Sequence, residues 1–63
     1  AQWDIWIGEI KKDKKNGKGD YIFPDGEWQS GMWKDNKMHG LGLQILPDGN
    51  RRYGEFKEDK FIE

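Results

Sequence analysis

Twelve carboxylates, eleven lysines and arginines and a single histidine are the side chains of this 63-residue sequence with chemistry to offer. General acid and base catalysis needs two such groups held close together in environments that push their pKa values apart. Asp4, Glu9, Asp20, Glu27, Asp35, Glu55 and Glu58 are instead spread along the chain without a close pair, and Asp25 and Asp48 sit in Pro-Asp-Gly triplets whose turn chemistry already accounts for them. His39 stands alone before Gly40, and a sequence without cysteine offers it no thiolate partners for a zinc site. Gly17, Lys18 and Gly19 lie between strand-like stretches, so no helix N-terminus is at hand to turn them into a phosphate loop. These residues point to no catalytic residue, metal ligand, cofactor or small-molecule substrate.

The remaining chemistry is electrostatic. Lys11, Lys12, Lys14, Lys15 and Lys18 form a basic stretch interrupted by Asp13, suited either to acidic lipid headgroups and phosphates or to keeping a hairpin tip in water. Lys11, Lys12, Lys14 and Lys15 are the candidate contacts with a membrane surface. The formal charge of the whole chain is -1, whereas nucleic-acid-binding domains are usually basic, so nucleic acid is not expected as a partner. No stretch is long and apolar enough to cross a membrane, and no segment resembles a secretory leader. A natural chain of this kind is expected to be soluble and cytoplasmic.

These side chains must be positioned by a very small fold. Hydrophobic residues make up 33% of the chain and charged residues 37%, a balance that would favour disorder were it not for nine aromatics and nine glycines. Those residues recur. Gly8, Gly31 and Gly54 are spaced 23 apart, Gly17 returns as Gly40, Gly19 as Gly42, and Pro24-Asp25-Gly26 as Pro47-Asp48-Gly49. Ile10, Trp33 and Phe56 keep a bulky apolar group at one phase, followed by Lys11, Lys34 and Lys57, with Lys14, Lys37 and Lys60 three positions further on. The expectation is one domain over 1–63, with repeat units at about 4–26 and 27–49 and a partial one at 50–63.

Alternating character between turn signals predicts strands near 3–11, 18–23, 27–34, 41–46 and 51–57, with a sixth starting at Phe61. Each Pro-Asp-Gly triplet suits a three-residue hairpin loop that ends in a left-handed glycine. Lys12 to Asn16 and Asp35 to His39 read as longer polar connections. The predicted fold is all-β: an antiparallel meander of five or six strands built from 23-residue hairpin repeats, either an open single sheet or a strongly curled small barrel.

In these features the chain resembles the MORN (membrane occupation and recognition nexus) repeat, whose pattern is an aromatic two before a Gly and another two after it, then His-Gly-x-Gly, an aromatic stretch and Pro-Asp-Gly. Trp6, Gly8, Ile10, Gly17, Gly19, Tyr21, Phe23 and the first triplet fit one repeat; Gly31, Trp33, His39, Gly40, Gly42 and the second triplet fit another; Gly54 and Phe56 open a third. The resemblance covers about two and a half repeats. It implies a single-layer sheet of stacked hairpins that serves as a protein-interaction or membrane-associated scaffold, without catalysis. Gln29 and Arg52 stand where the pattern has an aromatic, with Trp28 one place early and Tyr53 one place late.

A displacement of one residue moves a side chain to the opposite face of a strand. Counting outward from the glycines gives a packing face of Trp6, Gly8, Ile10, Tyr21, Phe23, Gly31, Trp33, Gly54 and Phe56. The other face collects Trp3, Ile5, Ile7, Trp28, Met32, Leu41, Leu43, Ile45 and Tyr53, and it is the candidate surface for interaction or closure. A sheet wetted on one side should alternate apolar and polar residues, and this one does not. Closure into a barrel, pairing with a second copy, or capture of another protein would each cover that face. A homodimer or higher oligomer is the partner expected first. A small β protein engineered for its fold, with no natural ligand, would carry the same strict register, lack of cysteine and apolar second face.

Overall fold

A computed structural model describes residues 3–62; Ala1, Gln2 and Glu63, the last of them in the partial third repeat, lie outside the described residues. Six strands, β1 (Ile5–Lys11), β2 (Lys14–Ile22), β3 (Trp28–Lys34), β4 (Lys37–Ile45), β5 (Arg51–Lys57) and β6 (Lys60–Ile62), follow one another as an antiparallel meander in a single sheet. The sheet is open rather than a closed barrel: β1 and β6 are its two edges. It extends 35 × 33 × 14 Å, and its accessible surface of 4748 Å² exceeds the roughly 4,250 Å² expected of a compact protein of its mass. The excess is the cost in exposure of a single layer.

Two kinds of turn alternate along the chain. In the Pro-Asp-Gly turns the Phe23 N–H donates to the Glu27 carbonyl (2.9 Å) and the Gly26 N–H to the Phe23 carbonyl (3.0 Å), and Leu46, Asn50 and Gly49 repeat the pair at 2.8 and 2.9 Å. Gly26 and Gly49 take φ of 99° and 95°, the left-handed residue that closes such a loop. The Asp25 and Asp48 carboxylates each accept a backbone N–H two residues on, from Glu27 and Asn50 (both 2.9 Å).

The other connections are shorter than the sequence suggests. Instead of polar loops over 12–16 and 35–39, two-residue turns occur at Lys12-Asp13, Asp35-Asn36 and Glu58-Asp59, all with positive φ, and β2 and β4 begin at Lys14 and Lys37. Such turns match the right-handed twist of the strands they join, which lets the ladder run to the tip. Two of them also bind the hairpin before. The Asn36 N–H donates to the Lys15 carbonyl (3.0 Å) while the Lys15 N–H donates to Asn36 Oδ1 (2.8 Å). One period later the same reciprocal pair joins Asp59 and Met38 at 3.0 and 2.8 Å. A tip that reads as polar loop is therefore a joint between repeats.

The register brings Gly8, Gly19, Gly31, Gly42 and Gly54 into one row across five strands. Bare backbone in that row lets large side chains lie flat on the sheet. Trp6 covers Gly19, and Met38 and Phe56 cover Gly42. Trp33, Met38 and Phe56 are the buried core, with Trp6, Tyr21 and Phe61 packed around them. Met38, read from sequence as part of a polar turn, is the most buried side chain at 1% exposure. Ile10 shares the phase of Trp33 and Phe56 yet is 56% exposed, because each of those two packs against the hairpin before its own and β1 is an edge strand.

Gly31 and Gly49 separate the two demands on a glycine in this fold. A methyl at Gly31 (φ 149°) would lie 2.5 Å from the Leu41 carbonyl oxygen and 2.6 Å from Gly42 Cα, whereas nothing lies near one at Gly49. In urea unfolding, Gly31→Ala is expected to lose about 3 kcal/mol or to abolish the transition, and Gly49→Ala only about 1 kcal/mol, the cost of positive φ alone.

Candidate functional site

The two faces of the sheet differ in what they offer. On the packing face the aromatic rings form a connected set. Trp33 meets Trp6 edge-on at 5.2 Å between centroids, Tyr21 stacks on Phe23 at 4.5 Å, and Phe61 lies 5.3 Å from Phe56. The buried Trp33 indole N–H donates to the Gly19 carbonyl (3.0 Å), while the Trp6 indole N–H has no acceptor among the described residues. Next to the rings, Glu27 Oε2 accepts from both Gln29 (2.9 Å) and Gln44 (2.7 Å), Gln29 standing where the repeat pattern has an aromatic and Gln44 one period after Tyr21.

Lys15 belongs to this face. Its ammonium sits 4.6 Å from the Tyr21 ring centroid and 5.8 Å from that of Trp6, an attraction between a cation and two aromatic quadrupoles. The repeat explains the position, since Lys15, Met38 and Phe61 are one period apart. That spacing was the available sign that Met38 packs and that Lys15 differs from its neighbours. Lys11, Lys12 and Lys14 are exposed at the β1–β2 tip, where Lys11 pairs across the ladder with Lys14. Lys34 and Lys37 do the same at the next tip and Lys57 and Lys60 at the third. One end of the sheet thus carries three cross-strand lysine pairs, and Lys37 to Glu58 (3.9 Å) is the one ion pair among the described residues.

The second face is organised in rows. Ile5, Ile22, Trp28 and Ile45 align across four strands, with Arg51 at the end of the row. Beside them run Ile7, Asp20, Ser30, Leu43 and Tyr53, and beyond those Lys18 next to Met32, and Leu41 next to Glu55 and Ile62. Trp28 is 42% exposed, Leu41 61% and Tyr53 73%, and Trp3 also lies open to solvent. Two shallow depressions mark the face, one among Asp20, Trp28, Ser30, Leu43 and Ile45, the other among Lys18, Met32, Leu41, Leu43 and Tyr53. At its centre the Ser30 hydroxyl donates to Asp20 Oδ1 (2.6 Å).

His39 is exposed on β4, and among the described residues no group of three or more His, Asp or Glu side chains could hold a metal ion. Among those residues, too, no helix is long and apolar enough to cross a membrane.

The family model described as MORN repeat matches residues 6–28 and 30–51, together more than half of the chain. Comparison with curated proteins gives no match.

One titrating group ties the first repeat together. The Tyr21 hydroxyl donates to Asp4 Oδ2 (2.5 Å), and that bond, then burial, then the carboxylate charge raise the phenol above its ordinary pKa of about 10. Below that value the phenol is protonated in the folded and unfolded chains alike, and its contribution is complete. As pH rises further the unfolded chain loses the proton first, so the contribution falls away through the raised folded pKa. Urea midpoints of the wild type are expected to drop above about pH 10 more steeply than those of Tyr21→Phe.

Proposed function

The chain belongs to the MORN repeat family, and from that premise we propose that it is a non-enzymatic structural and protein-interaction module that associates with itself through its second face. MORN repeats are generally non-catalytic modules for protein interaction or membrane association. The observation that carries the finer reading is the exposed set of Trp28, Met32, Leu41, Tyr53, Ile5 and Ile7, all on the face opposite the core. Contiguous apolar surface of that kind marks interaction sites in soluble proteins. A sheet 35 × 33 Å across is large enough to bury the roughly 800 Å² per partner found in stable interfaces.

Self-association also answers the size problem. Short repeat arrays are marginal because each hairpin buries itself mainly against its neighbours, and the core here is three residues with three more at its margin. Two copies packed face to face would convert a one-layer protein into the two-layer arrangement that most domains adopt.

Light scattering over a dilution series from about 1 mM to 1 μM is expected to show a monomer–dimer equilibrium. Leu41→Gln with Tyr53→Gln, both at exposed positions, is expected to weaken it at least about tenfold with the β-sheet circular dichroism retained. A wild-type chain that stays monomeric throughout would overturn the proposal.

The three lysine pairs at the turn end of the sheet favour a second reading, contact with an anionic membrane surface through Lys11, Lys12 and Lys14. Sedimentation with phosphatidylserine vesicles is expected at low salt and to be lost at about 0.5 M salt, and replacing the three lysines by glutamate would remove it. No binding at low salt eliminates this reading.

A further inference from the structure

The charges that frame the second face are arranged to meet their opposites in one of the two symmetric ways of packing it against a copy. Two sheets packed face to face around a two-fold axis have that axis lying between them, and when their strands are near alignment it runs close to the strands or close to the perpendicular across them. With the axis along the strands, between β3 and β4, each residue keeps its row and β2 lies over the second copy's β5. Lys18 on β2 and Glu55 on β5 each stand one residue from the glycine row on the side of the two-residue turns, with the ladder shifting between Met32 and Leu41, and Asp20 on β2 stands in the row that ends in Leu43 and Tyr53. Lys18 then faces the second copy's Glu55. Asp20 faces the second copy's Tyr53, the most exposed side chain of the row at 73%.

The shape agrees with the charge. Asp20 lines a depression with Trp28, Ser30, Leu43 and Ile45. One of its oxygens accepts from Ser30 and the other has no partner among the described residues, so it remains for the phenol of a tyrosine entering from above. Met32 and Leu41 face each other across the same axis, as do Trp28 and Ile45, so apolar residues fill the middle. With the axis across the strands and through the row of Asp20, Ser30 and Leu43, β2 would lie over its own copy and Asp20 would confront Asp20, like charge against like charge.

We propose, resting on the self-association reading above, that the dimer is a face-to-face pair with its two-fold axis along β3 and β4, held in register by Lys18 against the second copy's Glu55 and by Tyr53 against the second copy's Asp20. Within one chain Lys18 and Glu55 are three strands apart, about 14 Å, beyond the reach of a disulfide. The chain has no cysteine of its own, so introduced ones report only on the new contact.

The experiment mixes Lys18→Cys with Glu55→Cys under mild oxidation and measures dimer affinity for Lys18→Glu, Glu55→Lys and the double variant. A disulfide-linked heterodimer is expected in the mixture, and far less linked product from either variant alone. Each charge reversal is expected to weaken association about tenfold, and the double variant to return to within about threefold of wild type. Both positions are exposed, and circular dichroism checks that the variants fold. A wild-type dimer whose two thiol variants fail to link to each other, or a double variant as weak as either single one, overturns this register and leaves self-association standing; a wild type monomeric at every concentration overturns both.

Discussion

A row of five glycines lying side by side across the sheet is the constraint on which the rest of the structure depends. A layer one strand thick has no second layer to press its aromatics into. Removing every side chain along one line lowers the floor of the sheet by the height of a methyl group, and Trp6, Met38 and Phe56 lie down in the space. Trp6 and Phe56 each cover a glycine on the neighbouring strand and Met38 one on its own, so the contacts that bury the two rings also hold successive strands in order. The covered glycines, Gly19 and Gly42, are themselves buried. Burial and register are here one interaction, the reason that a chain with 33% hydrophobic residues can specify a fold.

Polar contacts carry the same period. Asn36 against Lys15 and Asp59 against Met38 are reciprocal two-bond joints, placed at hairpin tips where the ladder would otherwise leave two backbone groups to water. They cross between repeats at the end of the sheet, as the aromatics cross between repeats at its middle. Asp13, one period before Asn36, makes no such joint among the described residues, and Ile10, at the phase of Trp33 and Phe56, lies on the edge strand β1 of this sheet. The first repeat lacks that joint among the described residues. It is supplemented by contacts the other repeats lack: Lys15 over two rings, and Tyr21 bonded to Asp4.

The meander, the glycine phase and the Pro-Asp-Gly turns were legible in the chain because each is encoded locally and then repeated. Pro presets one dihedral, Asp accepts the following N–H, and Gly supplies the left-handed residue, within three positions. The separation of Trp28 and Tyr53 from the ring-bearing face was equally legible, since strand alternation needs only counting. The tips were not. Lys12-Asp13 and Asp35-Asn36 look like parts of longer polar loops, and only the non-local bonds of the joint, and the twist of the paired strands, make two-residue turns of them. Met38 was hidden for the same reason: beside such a tip it reads as loop, and it becomes core only when Trp33 lies across the ladder from it. Lys15, grouped by composition with a basic tip, turned to the rings because its strand starts at Lys14 rather than near residue 18.

The sequence by itself determined the repeat period, where the glycine-closed turns fall and which side chains share a face, because dihedral preference and strand alternation are properties of neighbouring residues. Only the tertiary structure decided which of those side chains are buried. Burial in a single layer depends on whether another repeat lies alongside, and so Trp33 and Phe56 are covered while Ile10, at the same phase of the same repeat, is left in water.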